Sequence, residues 1–245
     1  MTTDPLDLII TQATERQLKA GGVLIHEGSV CRALHLLVDG WAVRYTGTGG
    51  GARQILAVLL PGDFCNLDSL ALLRPDYGIQ ALTPAKFLGL ERGRAIELSQ
   101  SSKELAQLFL SRMAIENAML GRWALALGRK SAMARLAHLL CELAVRLEGA
   151  IEDDAVRLDL PLKQEQIADV LGLTPVHVNR TLQRLRFLGV IESRGRIIDI
   201  PSVAKLSDIA EFDERYLHRS EAIASRLPSH ISIAGSSASV GQAFP

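Results

Sequence analysis

The chain has 245 residues, 48% hydrophobic and 22% charged, with 27 basic residues against 27 acidic ones. That length holds two modest domains, and the composition is that of a globular chain. A net charge of zero excludes a whole-surface polyanion binder, so any nucleic-acid affinity is local, and 4% aromatic content argues against a platform of stacked single-stranded bases.

The N-terminal stretch MTTDPLDLII carries acids where a secretory leader has a basic region, so no signal peptide is expected. No apolar run approaches the roughly 18 residues of a membrane span, so a membrane partner is not expected. Cys31, Cys65 and Cys141 are widely spaced, which fits reduced thiols in a cytoplasm better than a disulfide framework.

Residues 1–101 form the first expected unit. Val23 to Ile25, Leu34 to Val38, Trp41 to Tyr45, Ile55 to Leu60, Ile79 to Leu82 and Lys86 to Leu90 are short apolar or alternating runs. Glu27-Gly28, Asp39-Gly40, a Gly47 to Gly51 loop and Pro61-Gly62-Asp63 separate them. Such spacing suggests an antiparallel roll or barrel.

Residues 102–148 read as helical. From Lys103 to Leu127 the apolar residues Leu105, Leu108, Ile115, Met119 and Trp123 recur at helical intervals, and Phe109, Met113 and Leu120 lie off that stripe. A helix apolar on more than one side buries two surfaces, one on the roll and one on a twin helix, with Leu108, Ile115, Met119 and Trp123 as the expected dimer contacts. The stretch from Gly128 to Ser131 interrupts it. It is the expected hinge, Gly128 supplying backbone freedom and Ser131 capping a helix that runs to about Leu147.

Residues 149–227 begin with an acidic, loop-like connection to Asp154. Leu162 to Glu192 then carries the sharpest signal. Ile167, Ala168, Val170 and Leu171 form one apolar helix side, Gly172 breaks the helix, Thr174 caps the next and Pro175 suits its first turn. Val178, Leu182, Leu185 and Leu188 face a core, while His177, Asn179, Arg180, Gln183, Arg184 and Arg186 are exposed. Gly189 ends this helix. Strands Val190 to Ser193 and Ile197 to Ile200 flank Arg194-Gly195-Arg196 as a hairpin wing. From Thr174 to Arg196 there are five arginines against the single acid Glu192. A helix, a glycine turn and a second helix of hydrogen-bonding side chains form a helix-turn-helix, whose second helix enters the major groove of double-stranded DNA. The expected DNA-contacting set is Thr174, Val176, His177, Asn179, Arg180, Arg184, Arg186, Arg194 and Arg196. A helix with Leu206, Ile209, Phe212 and Leu217 follows Pro201, and residues 228–245 read as a disordered tail.

This α+β order of an N-terminal antiparallel β-roll, a long helix and a C-terminal winged helix-turn-helix resembles the Crp/Fnr superfamily of bacterial transcription regulators. Gly62-Asp63-Phe64 sits where the family's roll carries that motif, and IADVLGLTPVHVNRTL, from Ile167 to Leu182, follows its DNA-binding signature. The resemblance implies a cyclic-nucleotide-binding-like jelly roll, a homodimer paired through its long helices, a two-fold-related operator, a base contact from Arg180, and RNA polymerase as a further partner.

Two departures qualify it. Val176 stands where many relatives have a glutamate, so it can meet a thymine methyl but cannot accept from cytosine. After the roll motif the chain reads Cys65-Asn66-Leu67-Asp68 and later Asp76-Tyr77-Gly78, without the family's phosphate-binding pairs. Arg74, the cation of that region, lies in a loop beside Pro75, so the unknown effector is not expected to be a cyclic nucleotide. No cofactor is expected. Three cysteines cannot supply the four thiolates of an iron–sulfur cluster, and His26 and His35, the candidate haem ligands, read as surface or packed residues. A cupin-like metal enzyme would need a His-x-His pair that the roll lacks. An adaptor using the winged domain for protein contacts is disfavoured by the basic second helix.

Overall fold

A computed structural model describes residues 5–148 and 154–218. The expected acidic connection, apart from Asp154, and the expected tail lie outside the described residues.

The first unit has seven strands: β1 (Thr14–Leu18), β2 (Val23–Ile25), β3 (Ala33–Asp39), β4 (Ala42–Gly47), β5 (Arg53–Leu59), β6 (Gly78–Ala81) and β7 (Ala85–Glu91). They form two antiparallel sheets, ordered β1-β7-β3 and β2-β6-β4-β5. β3 shows the period-2 logic of a strand buried on both faces. Leu37 packs inside the roll with Ile79 and Phe87, whereas Leu34, Leu36 and Val38 pack outward. The outward group meets helices α1 (Pro5–Ile10), α2 (Arg92–Ser101) and α3 (Lys103–Arg129) through Leu6, Ile9, Leu98, Leu105 and Phe109. Gly40 makes the β3–β4 turn at φ +81°, where a Cβ would lie 2.3 Å from the Pro84 carbonyl oxygen, so no other residue fits.

α1, β1 and α2 were not evident from the sequence. TERQL in β1 is exposed except at Leu18, so it carries no alternation; it is a charged edge strand on β7. α2 starts at Glu91, whose carboxylate accepts from the Gly93 and Arg94 amides. It ends at Ser102, which turns extended and caps α3 by accepting from the Leu105 amide.

α3 turns the expected dimer residues towards the chain's own core. Trp123 is 8% exposed and packs in the chain's own core, Leu108 packs on the roll-side cluster, and Ile115 and Met119 line a cavity of about 60 Å³ against β5. These four residues stabilise the protomer itself. The stripe left to solvent is a different one, containing Leu110, Met113 and Leu120 at 62%, 40% and 40% exposure.

The break after α3 is also displaced. Gly128 sits inside the last helical turn, outside the left-handed region and with open space where a Cβ would go. Lys130 turns extended at φ −88°, ψ 149°, and Ser131 accepts from the Ala134 amide to start α4 (Ala132–Glu148). Leu136, Leu140 and Leu143 of α4 are fully buried, each contributing about 1.5–3 kcal/mol. They share one core with Val43, Ile55 and Val58 of the roll and with the C-terminal unit.

That unit contains β8 (Val156–Asp159), α5 (Gln164–Leu171), α6 (Pro175–Phe187), β9 (Glu192–Arg194), β10 (Ile197–Ile200) and α7 (Val203–Ala210). β8 is a third wing strand that the sequence reading missed, although its alternating burial is visible in VRLD. The helix expected to run to Leu217 stops at Glu211, which has φ +47°, and a short 3-10 turn follows over Glu214–Leu217.

Candidate nucleic-acid interface

α5 and α6 are set by local chemistry. Gly172 takes the left-handed conformation at φ +61° and ends α5. Thr174 is extended, accepts from the His177 amide at 3.2 Å and starts α6, with Pro175 in its first turn. Val178, Thr181, Leu182 and Leu185 are buried and fix the rotation of α6 on the core. Leu188, expected to face the core, is 43% exposed because the helix has already ended there. Gly189 follows at φ +67°.

With that side buried, the 100° step of a helix places Val176, Arg180, Gln183 and Phe187 along the outermost line. Val176 is 63% exposed and Phe187 80%. Asn179 faces the wing and lines a groove with Arg186, Ser193, Gly195 and Arg196. His177, Arg180 and Arg184 line the opposite groove with Thr174, Val176 and Ser131, so the start of α4 borders the reading helix. Gln183 was read as exposed yet left out of the expected contacts; its seven-residue spacing from Val176 is the signal that places it on the outer line.

The cations divide into free and engaged. Arg180 and Arg194 are exposed, and no hydrogen bond or ion pair to protein engages either among the described residues. Arg196 is held by Asp159 at 2.6 Å, Arg186 donates to the Ser193 hydroxyl at 3.2 Å, and Arg184 lies over the Phe187 ring at 5.4 Å. All three are exposed, so exchange of these weak surface pairs for phosphate costs little.

A buried polar seam ties this head to the roll. Asp63, from the Gly62-Asp63-Phe64 motif, pairs with Arg146 of α4 at 2.6 Å, and Arg146 also donates to the Val58 carbonyl. Arg146 lies 3.7 Å from Glu142, which is fully buried and accepts from Trp123 Nε1 at 2.9 Å and Tyr216 Oη at 2.7 Å. Burial pushes the Glu142 carboxyl up, against the pull of Arg146. Burial pushes His138 down to about 4, with Lys130 and Arg122 adding in the same sense. Its Nε2 lies 3.1 Å from Tyr216 Oη, and Lys130, the residue at the break, approaches its Nδ1. A second contact is direct: Gln54 of β5 donates to the Val170 carbonyl of α5.

In the roll, Arg44 is 5% exposed, donates to the Cys65 carbonyl, pairs with Glu116 of α3 and lies over the Tyr77 ring. Tyr77 in turn donates to Asp68. The chain's own side chains thus occupy part of the space between the segment after the roll motif and α3, beside the cavity lined by Asp63, Phe64, Leu67, Ile115 and Met119. Arg74 lies on the surface and donates to the Gly28 carbonyl. Cys31, Cys65 and Cys141 are buried free thiols. Burial raises the Cys65 thiol and pushes Cys141 up to about 11, so neither is poised as a thiolate. Burial pushes His35 down to about 4, and its amide donates to Asn66.

Residues 15–102 match the cyclic nucleotide-binding domain model, and residues 134–209 match the Crp-like helix-turn-helix domain model. The transcriptional activator protein FnrL of Cereibacter sphaeroides is 30% identical over 203 residues, covering 81% of each chain. The chain belongs to the Crp/Fnr family of DNA-binding transcription regulators. A probable transcriptional regulator, flp, of Lacticaseibacillus casei is 31% identical over 80% of this chain and 87% of its own. The solved structure of FixK2 from Bradyrhizobium japonicum is 27% identical, with a TM-score of 0.74 over 80% of this chain and 96% of that one. These relatives are regulators rather than enzymes, which removes the cupin-like alternative. In this regulator, as in the family, the helix-turn-helix is the DNA-binding element.

Proposed function

We propose that this regulator acts as a homodimer on a two-fold-related operator, reading bases with Val176, Asn179 and Arg180. His177 borders that set, Thr174 holds the start of the reading helix, and Arg184, Arg186, Arg194 and Arg196 meet phosphates. The observation that carries the reading is the outward line of α6, where Val176 is 63% exposed and Arg180 has no hydrogen-bond or ion-pair partner among the described residues. Val176 offers methyls where a base edge offers a thymine methyl, and Arg180 offers a bidentate fork to guanine. The solvent-facing stripe of α3 supports pairing with a second copy. No helix among the described residues is long and apolar enough to cross a membrane. That fits action in the cytoplasm, with RNA polymerase as the further partner that operator occupancy would affect.

The roll controls the head through the Asp63–Arg146–Glu142–Tyr216 seam and the Lys130–Ser131 break, and its effector, where one acts, is not a cyclic nucleotide. Arg44 is already neutralised by Glu116, and Tyr77 stands beside Gly78 where a phosphate would need a free cation. Selecting bound sequences from a random duplex pool tests the reading. A two-fold-symmetric consensus with half-sites roughly 34–36 Å apart is expected. An asymmetric consensus, or none, overturns it. Isothermal titration with cyclic AMP or cyclic GMP should show no heat of binding at micromolar protein.

A further inference from the structure

The solvent-facing stripe of α3 runs Leu110, Met113, Asn117, Leu120 and Ala124, with steps of three and four residues in strict alternation, and Leu127, half-buried beside α5, continues the spacing. That is the seam of a left-handed two-stranded coiled coil, in which each position meets the same position of a parallel partner. Leu110, Met113, Asn117, Leu120 and Ala124 are all exposed in the protomer. Exposed Ala114 and Gly121 beside them let two backbones approach closely. Asn117 is the only polar residue in this run, and its carboxamide has no hydrogen-bond partner in the protomer among the described residues.

We propose that Asn117 pairs with Asn117 of a second copy across the two-fold axis and fixes the register of the dimer. The inference rests on the homodimer reading above. A carboxamide has both a donor and an acceptor, so two of them facing each other satisfy one another once the stripe is closed to water. Slipping the helices by one heptad would set Asn117 against Leu110 or Ala124 and bury an unpaired amide, which apolar neighbours cannot repay. Residues that are apolar throughout would tolerate the slip. In a parallel pair the two-fold axis runs along α3, so both winged units stand at the same level of the pair, each held to its own protomer by α4 and β5. Register sets the separation of the two α6 helices, so Asn117 matches the dimer to the operator spacing from a distance.

The test is charge complementation at this site in the full chain, read by sedimentation equilibrium. Asn117→Asp and Asn117→Lys each place like charges face to face. Each should weaken dimerisation on the order of a hundredfold. An equimolar mixture should recover a dimer, as a heterodimer, to within about tenfold of the wild type. Asn117→Leu should associate on the order of tenfold more tightly and show larger assemblies beside the dimer. Because position 117 is exposed in the protomer, unchanged thermal melting of the diluted monomer confirms that folding is intact. A charged variant that dimerises like the wild type, or a mixture that stays monomeric while the wild type is dimeric, overturns the Asn117 pairing and leaves the dimer standing. A single unchanged dimer for Asn117→Leu removes its role in register. A monomeric wild type at micromolar concentration overturns the dimer reading itself.

Discussion

Two groups of arginines separate the roll–helix seam from the winged unit. Arg44 and Arg146 in the seam are buried or nearly so, and each is held by a carboxylate and a backbone carbonyl. Arg180 and Arg194 in the winged unit are exposed and have no hydrogen-bond or ion-pair partner among the described residues. The same side chain therefore does opposite work. In the seam it joins the roll to α3 and α4, and its charge is met by the chain's own carboxylates. On α6 and the wing its donors are open to bases and phosphates. Location of charge, rather than its total, makes a neutral chain a DNA-binding one.

The comparison breaks first at Arg146. Arg146→Met strands Glu142 in a fully buried position and frees Asp63, and should cost about 3–5 kcal/mol of stability, measured by urea unfolding. An effect below about 1 kcal/mol would mean the seam is not structural. Next is acidification. His35 and His138 are both held at about 4, below the ordinary 6.5, so the unfolded chain binds more protons between those values. Stability from this source is complete above pH 6.5 and is lost as pH falls towards 4, by about 2 kcal/mol for each histidine between pH 7 and pH 5. Glu142, raised, works in the opposite sense. Its share is present at low pH and is lost as pH rises, so it offsets part of the acid loss. His35→Gln should flatten the profile in urea melts at stepped pH.

On the winged side, Arg180→Ala should cost about 1–3 kcal/mol at the operator and much less on random duplex. Arg194→Ala should weaken both alike and reduce the salt slope by about one. Equal losses on both DNAs for Arg180→Ala would move it into the phosphate group. The smallest effect belongs to Gly128→Ala. With helical backbone and open space at the Cβ position, it should stabilise by about 0.5–1 kcal/mol and leave operator affinity unchanged.

Much of the reading head was legible because its signals are local. Gly172, Pro175, Gly189 and Gly195 act through their own backbone and Thr174 through its hydroxyl, and each stands where the sequence places it. The roll's strands were legible where apolar alternation is strong. β1 was not, since a charged edge strand owes its form to a neighbour rather than to its own pattern, and β8 alternates over only four residues, too short a run to stand out. α3 shows the limit most plainly. Both of its sides are apolar, and periodicity cannot tell which side meets the chain's own core. Trp123, Ile115 and Met119 are the bulkier set and face inward. The outward set includes Asn117, Ala124 and Gly121, residues that look unpromising as an interface until the rest of the helix is seen to be covered. Gly128 misled in a similar way, because a glycine near a helix end is not always the residue that ends it.

Hydroxyl-radical footprinting of the intact regulator on a site selected from random duplex tests the central claim most directly. Two equivalent protected stretches, related by a two-fold axis and centred roughly 34–36 Å apart, are the predicted result, with Arg180→Ala losing both together. One asymmetric protected stretch, or protection that Arg180→Ala leaves intact, would contradict a dimer that reads its operator through α6.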